Sequence, residues 1–195
     1  MSFAAVQRIL GLLLTVFSFT LVPPFVVALA AQDGAAVAFA TAFVLTLGVG
    51  FISWLPVRDK RRELRLRDGF VVVVMFWTVL STIGALPFVL ADDPHLSITD
   101  AIFESVSGLT TTGATVITHI EGLPTSILYY RQQLQWLGGM GIIVLAVAVL
   151  PMLGIGGMQL YRAETPGPMK DSKLTPRITE TAKALWYIYL SLTIA

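Results

Sequence analysis

The sequence predicts an all-α polytopic membrane protein with a re-entrant loop between two of its spans. Of its 195 residues, 55% are hydrophobic and only 13% are charged, and the mean hydropathy is +0.78. Soluble domains carry about 25% charged residues, so this composition excludes an ordinary soluble fold. Long apolar runs predict the membrane spans. A polar segment between two of them, free of lysine and arginine, is where the re-entrant loop is expected.

Four apolar runs are long enough to cross a bilayer, because about 20 helical residues span the hydrocarbon. They cover roughly residues 9–31, 35–57, 69–91 and 132–153. A fifth run begins near Ala184 and continues to Ala195, which is expected to be the start of another span in a truncated product. The pair Pro23-Pro24 predicts a kink or break in the outer half of the first run.

Basic residues predict the orientation of these spans. Lysines and arginines concentrate in the segments 58–68 and 162–183, whereas 92–130 contains none and is acidic. The positive-inside rule places the amino terminus and both basic segments in the cytoplasm and the acidic segment outside. Only Arg131, at the outer end of the fourth run, opposes the pattern. The basic loop is expected to contact anionic membrane lipid, and it requires no nucleic-acid partner.

The first run has a second interpretation. Arg8, the apolar stretch and Ala28-Leu29-Ala30 together resemble a cleavable signal peptide. The run is longer than the core of about 7 to 15 residues usual in signal peptides, which favours a retained helix. Cleavage would leave the orientation of the other spans unchanged, so charge does not separate the two interpretations.

Metal and nucleotide sites have weak signals. Cysteine is absent, which excludes disulfides and thiolate metal sites. His95 and His119 share one loop, but two lone imidazoles are more typical of solvated side chains than of a zinc site. Neither glycine-rich stretch is followed by the lysine of a phosphate-binding loop, so nucleotide binding by this chain is not expected.

The segment 97–118 is predicted to be the re-entrant loop. Ser97 and Asp100 form a capping box that starts a helix over about 98–109. Such a helix is about 18 Å long, which reaches from the outer surface to the bilayer centre. Its carboxyl end carries partial negative charge and faces the midplane, where a dehydrated cation needs compensation.

The residues after that helix, 110–115, must return outward and are predicted to form a filter. Gly113 permits backbone angles closed to other residues, and the threonines leave main-chain carbonyls free to replace water around an ion. These hard oxygens suit an alkali cation. The bland alternative is an exposed turn or short strand, because Thr-Thr-Thr-Gly is by itself a string of low specificity.

Glu104 lies inside the half-membrane helix, where a carboxylate is costly unless it has donors or faces water. Hydrogen bonding to the loop is the favoured role, ahead of direct ion ligation. An enzymatic alternative has one constellation, Glu104 with Ser105 or Ser107, and no histidine is spaced to assist it. The chain is therefore predicted not to be an enzyme.

Two further features concern the fourth run. Gly138-Gly139-Met140-Gly141 is expected to let the re-entrant helix approach closely. Tyr129, Tyr130 and Trp136 are interpreted as an aromatic belt at the outer interface.

Three motifs carry a family resemblance. The stretches Phe103–Ile117, Gln135–Ile143 and Tyr161–Pro168 are similar to the TrkH branch of the Trk/Ktr/HKT potassium-uptake superfamily, in the same order and relative position. The resemblance runs over the whole chain but only over the amino-terminal part of a usual member, so the chain is expected to be a fragment.

The resemblance implies a domain plan. Family members have four helix–pore-loop–helix repeats around one potassium pathway, and the TrkH branch adds two helices before the first. Residues 1–68 would be that two-helix extension and 69–157 the first repeat, with its pore helix at about 98–109 and filter at 110–115. A cytoplasmic connector at 158–183 and the start of the second repeat at 184–195 would follow.

The resemblance also implies a function and its residues. The backbone carbonyls of Thr111 and Thr112 would bind potassium, within a filter completed by Thr110, Gly113 and Ala114. The pore helix would be supported by Ser97, Asp100 and Glu104. These groups would form one quarter of a selectivity filter for potassium uptake across the bacterial inner (plasma) membrane, by electrodiffusion or by symport with a cation.

Family members usually form homodimers and bind a cytosolic, nucleotide-binding Trk regulatory subunit, so both partners are implied. Potassium is the transported ion, and no covalent cofactor is expected. If the 195 residues are a complete product, the alternative is a non-conducting membrane scaffold or regulatory subunit, since three of the family's four pore loops are absent.

Overall fold

The computed structural model describes residues 3–58, 66–144 and 174–194. These residues form eight α-helices and two short 3₁₀ turns, and no strand occurs in the described ranges. The helices are α1 (Phe3–Phe19), α2 (Val22–Ala31), α3 (Ala36–Trp54), α4 (Leu66–Gly84), α5 (Leu86–Leu90), α6 (Ile98–Leu109), α7 (Thr125–Val144) and α8 (Leu174–Ile194). The 3₁₀ turns are Leu55–Val57 and Ile120–Gly122. The all-α prediction is confirmed.

The chain divides into two compact units, Met1–Trp136 and Leu137–Ala195. Three helical stretches in the described ranges are long and apolar enough to cross a membrane: Phe3–Ala31, Ala36–Val57 and Val71–Leu90. They correspond to the first three predicted spans. The middle of the basic loop (59–65), the end of the fourth predicted span (145–153) and most of the connector (158–173) lie outside the described residues.

The first span breaks where the prolines predict. Helix α1 ends at Phe19, and α2 begins at Val22, directly before the two prolines. Proline has no N–H to continue a helical ladder. The chain closes the gap with tight turns instead, in which the N–H groups of Thr20 and Leu21 donate to carbonyls three residues back, at 3.0 Å each.

Helices α1 and α3 approach each other through glycine. A Cβ atom built on Gly11 would lie 2.8 Å from the main-chain nitrogen of Trp54, and one built on Gly50 would lie 2.7 Å from that of Thr15. Only glycine permits this backbone contact, which is a common way for helices to pack in membranes. Helix α1 therefore supplies half of this interface.

The third span also contains a break, and a tyrosine stabilises it. Helix α4 ends at Gly84, and α5 begins at Leu86 with Pro87 in its first turn. The hydroxyl of Tyr130 donates to the carbonyl of Gly84 at 2.8 Å. Tyr130 is fully buried between the rings of Phe39 and Phe88. The interpretation of Tyr130 as part of an aromatic belt is therefore wrong, because its ring fills the core.

Two helices begin earlier than hydropathy predicts. Helix α7 starts at Thr125, where the apolar run suggested 132, and α8 starts at Leu174, where it suggested Ala184. The first turns of both helices carry polar residues, which an apolar window does not include. In the second unit, a Cβ on Gly139 would lie 2.6 Å from the hydroxyl of Tyr189. The expectation that the segment 138–141 lets the pore helix approach stays a prediction.

Candidate functional site: the loop after α6

Ser97 caps the start of α6, as the predicted capping box requires, and Asp100 binds the Ser97 hydroxyl. The amide N–H of Asp100 donates to Ser97 Oγ at 3.2 Å, and that hydroxyl donates to Asp100 Oδ2 at 2.8 Å. Helix α6 then runs from Ile98 to Leu109, the range that the cap predicts. The two residues thus set where the helix begins.

After α6, the main-chain N–H groups turn back toward the helix they have just left. The N–H of Thr110 donates to the carbonyl of Val106 at 2.8 Å, and the N–H of Thr111 donates to that of Gly108 at 2.9 Å. The carbonyl of Ser107 accepts from both Thr112 and Gly113, at 2.9 and 3.4 Å. The last carbonyls of a helix need such partners. The four amides thus point at α6. The carbonyls of residues 110–113 receive no hydrogen bond from any described residue, and all four residues are exposed.

The backbone reverses through two left-handed residues. Thr111 has a φ of 57° and Gly113 a φ of 73°. A threonine in this region carries about 1–2 kcal/mol of strain, which the hydrogen bonds to α6 must offset. A Cβ on Gly113 would meet nothing within 4 Å, so glycine is required here for its conformation and not for lack of space in this chain.

The next residues, 114–117, form what we call the ascending limb, which runs back along α6. Ser107 Oγ donates to the carbonyl of Ala114 at 2.6 Å. One turn nearer the start of α6, Glu104 Oε1 accepts from Thr115 Oγ1 at 2.5 Å and from the N–H of Val116 at 2.8 Å. Positions three apart lie on one helix face, so a single face of α6 holds the limb. Glu104 therefore has the loop-bonding role that the sequence favours.

The other oxygen of Glu104 binds a residue of α7. Arg131 Nε and Nη2 each lie 3.1 Å from Glu104 Oε2, and both side chains are buried, with 9% and 2% of their surfaces exposed. This contact gives a structural reason for an arginine at a position that opposes the predicted charge pattern. Sequence reasoning did not place Arg131 in the site, although it is the only lysine or arginine between Asp68 and Arg162.

Small residues bring the neighbouring helices onto α6. A Cβ on Gly108 would lie 3.0 Å from the Cβ of Leu134 in α7, and one on Gly84 would lie 2.6 Å from Ser105 Oγ. Close approach to α7 therefore uses a glycine of α6 itself. Neither Gly84 nor Gly108 was identified from the sequence, because a single glycine in an apolar helix has no distinctive pattern.

The enzymatic and metal alternatives receive no support within the described ranges. The hydroxyl of Ser107 donates to Ala114, and Ser105 Oγ is buried without a hydrogen-bond partner there. The Glu104 carboxylate is engaged by the limb and by α7, and no hydrogen bond joins it to either serine. Among the described residues, no group of three or more His, Cys, Asp or Glu side chains is placed to hold a metal ion.

A carboxylate outside the spans joins the first helices to α7. Asp33 Oδ2 accepts from the N–H of Ser126 at 2.8 Å, and Oδ1 accepts from the N–H of Ala35 at 3.2 Å. Burial acts to raise the pKa of Asp33, but the hydrogen bonds from these two residues outweigh it and hold the pKa below the ordinary value of 3.8. Farther along α7, Gln133 Nε2 donates to the carbonyl of Thr20 at 2.6 Å.

Comparison with known proteins shows that the chain belongs to the TrkH family. The profile of the TrkH family, described as a cation transport protein, matches residues 35–195. The Trk system potassium uptake protein TrkH of Vibrio parahaemolyticus is 64% identical over 195 residues, and that of Escherichia coli is 59% identical over the same length. Both alignments cover 100% of this chain and 40% of the relative.

A solved structure is also similar. The crystal structure of the potassium transporter TrkH from Vibrio parahaemolyticus superimposes with a TM-score of 0.84 at 58% sequence identity, and the match covers 100% of this chain and 38% of that one. The chain therefore spans about two fifths of the length of the curated relatives it matches.

Proposed function

Because the chain belongs to the TrkH cation transport family, we propose that it is the amino-terminal part of a potassium-uptake protein of the bacterial inner membrane. In this proposal, residues 110–115 supply one quarter of a carbonyl-lined filter. Thr111 and Thr112 ligate potassium through their main-chain oxygens. Thr110, Gly113 and Ala114 complete the backbone of the filter.

A single observation carries the proposal: four successive carbonyls, those of residues 110–113, have no donor among the described residues while their amides are all bound to α6. Main-chain oxygens at membrane depth need a partner, and an alkali cation or the water around it is the natural one. Oxygen ligands of this kind suit a hard cation. The chemistry is the replacement of hydration, and no covalent step is involved.

The supporting residues act on the filter through α6. Ser97 and Asp100 set the start of the helix, and Glu104 holds the limb that leaves the filter. The amino terminus is cytoplasmic in this proposal, because the basic segments then lie inside. The full-length protein is a multi-pass homodimer that binds a cytosolic nucleotide-binding Trk subunit, by analogy with the family.

The test uses the full-length protein carrying this sequence, produced in a bacterium that lacks its own potassium uptake. Rubidium and sodium uptake are measured for the wild type and for Gly113→Asp. An aspartate combines a disfavoured backbone angle with a side chain among the filter carbonyls, so we expect loss of uptake or of the preference for rubidium. Unchanged uptake together with unchanged selectivity would refute the filter assignment.

A matched control separates strain from function. Gly34 has a φ of 83° and, like Gly113, open space where a Cβ would lie, but it is in the loop between α2 and α3. Alanine at either position carries a similar conformational cost of about 1–2 kcal/mol. We expect Gly113→Ala to alter selectivity and Gly34→Ala to leave it unchanged at equal amounts of protein in the membrane.

A further inference from the structure

The carboxylate of Glu104 divides its two oxygens between two elements. Oε1 accepts from Thr115 and Val116 of the ascending limb, whereas Oε2 faces Arg131 of α7. One buried side chain of α6 therefore binds both the limb and α7, and so links them to each other. Glu104 lies one helical turn nearer the start of α6 than Ser107, which binds Ala114.

Stability alone does not explain this pair. A buried ion pair is often no more stabilising than apolar residues of similar volume, because both charges lose their hydration. An arginine in a membrane helix is costly in itself and usually marks a functional position. What the pair provides is geometry, since two nitrogens of a planar guanidinium hold one carboxylate oxygen and thereby orient the other.

We infer that Arg131, acting through Glu104, is a positioning residue that sets cation selectivity by holding the ascending limb against α6. The inference rests on the proposed function of residues 110–113 as part of the filter. Arg131 does not touch the ion. It keeps Glu104 oriented so that Oε1 remains directed at Thr115 and Val116.

The physical consequence concerns the spacing of carbonyls. The limb is fastened by Ser107 at Ala114 and by Glu104 at the next two residues. Without Arg131, the carboxylate is a buried charge without a counter-ion, and it turns toward water and releases the limb. The limb is then held to α6 only by the bond between Ser107 and Ala114. Carbonyls that can move inward accommodate a smaller cation, so discrimination against sodium falls.

The experiment measures rubidium and sodium uptake by the full-length protein with Arg131→Gln, beside its exposed neighbour changed as Gln132→Ala. We expect the rubidium-to-sodium ratio to fall about tenfold in the first variant, which corresponds to about 1.4 kcal/mol of differential binding, and to stay at the wild-type value in the second. If both fluxes fall in proportion and the ratio is kept, Arg131 has only a structural role and the inference is overturned.

A second pair of variants covers the case in which Arg131→Gln does not accumulate in the membrane. Thr115→Val keeps the ion pair but removes the hydroxyl that donates to Glu104, and Thr118→Val changes an exposed threonine farther along the loop. We expect a lower ratio for Thr115→Val and the wild-type ratio for Thr118→Val. Equal ratios in these two variants would overturn the inference.

Hydrogen exchange tests the link without reference to transport. In peptides covering residues 114–117, the amide of Val116 is protected by its bond to Glu104. We expect Arg131→Gln to speed its exchange by about tenfold or more, as a locally opened segment does. Exchange at the wild-type rate would overturn the inference. If the wild type moves no cation at all, the proposed function fails, while this measurement still decides whether Arg131 holds the limb.

Discussion

The contact between α1 and α3 leads to a quantitative prediction. Helix α3 carries two glycines, of which Gly50 has no room for a side chain and Gly48 has room. A Cβ on Gly50 would lie 2.7 Å from the nitrogen of Thr15 and 3.1 Å from the carbonyl oxygen of Gly11. Both atoms belong to the backbone, so no side chain can rotate away. A Cβ on Gly48 would meet nothing within 4 Å.

The two alanine variants therefore share one effect and differ in another. In both, alanine raises helix propensity by about 1 kcal/mol over glycine. Only Gly50→Ala forces the helices apart, and overpacking of this kind costs about 1–3 kcal/mol. The difference between the variants removes the shared effect, so we expect Gly50→Ala to be less stable than Gly48→Ala by about 1–3 kcal/mol.

The assay is equilibrium or thermal unfolding of the full-length protein in detergent, with both variants measured side by side. A double variant with Gly11→Ala adds a further check. Gly11 and Gly50 share one gap, so the second substitution should cost less than it does alone. If Gly48→Ala and Gly50→Ala agree within about 0.5 kcal/mol, the ordinary range for a harmless surface change, the close contact does not exist as described.

Two other predictions concern polar contacts. Tyr130→Phe removes the donor to the buried carbonyl of Gly84. Because an unsatisfied buried group costs about 1–3 kcal/mol, we expect a lower unfolding temperature. An unchanged temperature would mean that another donor takes over. Asp33 has a lowered pKa, so its contribution is fully present above 3.8 and is lost as the pH falls through the lowered pKa. We expect Asp33→Asn to lack this increment of acid destabilisation, which unfolding measured at stepped pH would detect; identical pH profiles would contradict the role of the bond to Ser126.

Local rules account for what the sequence predicted well. The start of α6 follows from one cap, because Ser97 and Asp100 act within four residues of each other. The break between α1 and α2 follows from proline for the same reason. The loop-bonding role of Glu104 could also be predicted, since a carboxylate on a helix predicted to enter the membrane must find donors.

Contacts between distant segments were not predictable in the same way. Glu104 and Arg131 are 27 positions apart, and the charge pattern marks the arginine only as an exception to the predicted orientation. Tyrosine is a residue type typical of membrane interfaces, but the position of Tyr130 on α7 turns it toward the break at Gly84, 46 positions earlier. Both outcomes depend on how helices pack, which periodicity in one segment does not contain.

The polar groups of the loop after α6 distinguish conduction from a scaffold role. The amides of residues 110–113 are bound to α6, the carbonyl of Ala114 is bound to Ser107, and Glu104 takes the next amide donor, that of Val116. The carbonyls of 110–113 are four successive acceptors on one stretch of chain, and none of them has a donor among the described residues. If the loop lies at membrane depth, as proposed, a non-conducting scaffold would have to provide donors for these carbonyls, because lipid has none. In the proposed function a cation would supply positive charge to all four at once, and this difference is what supports the ion-pathway proposal over the scaffold.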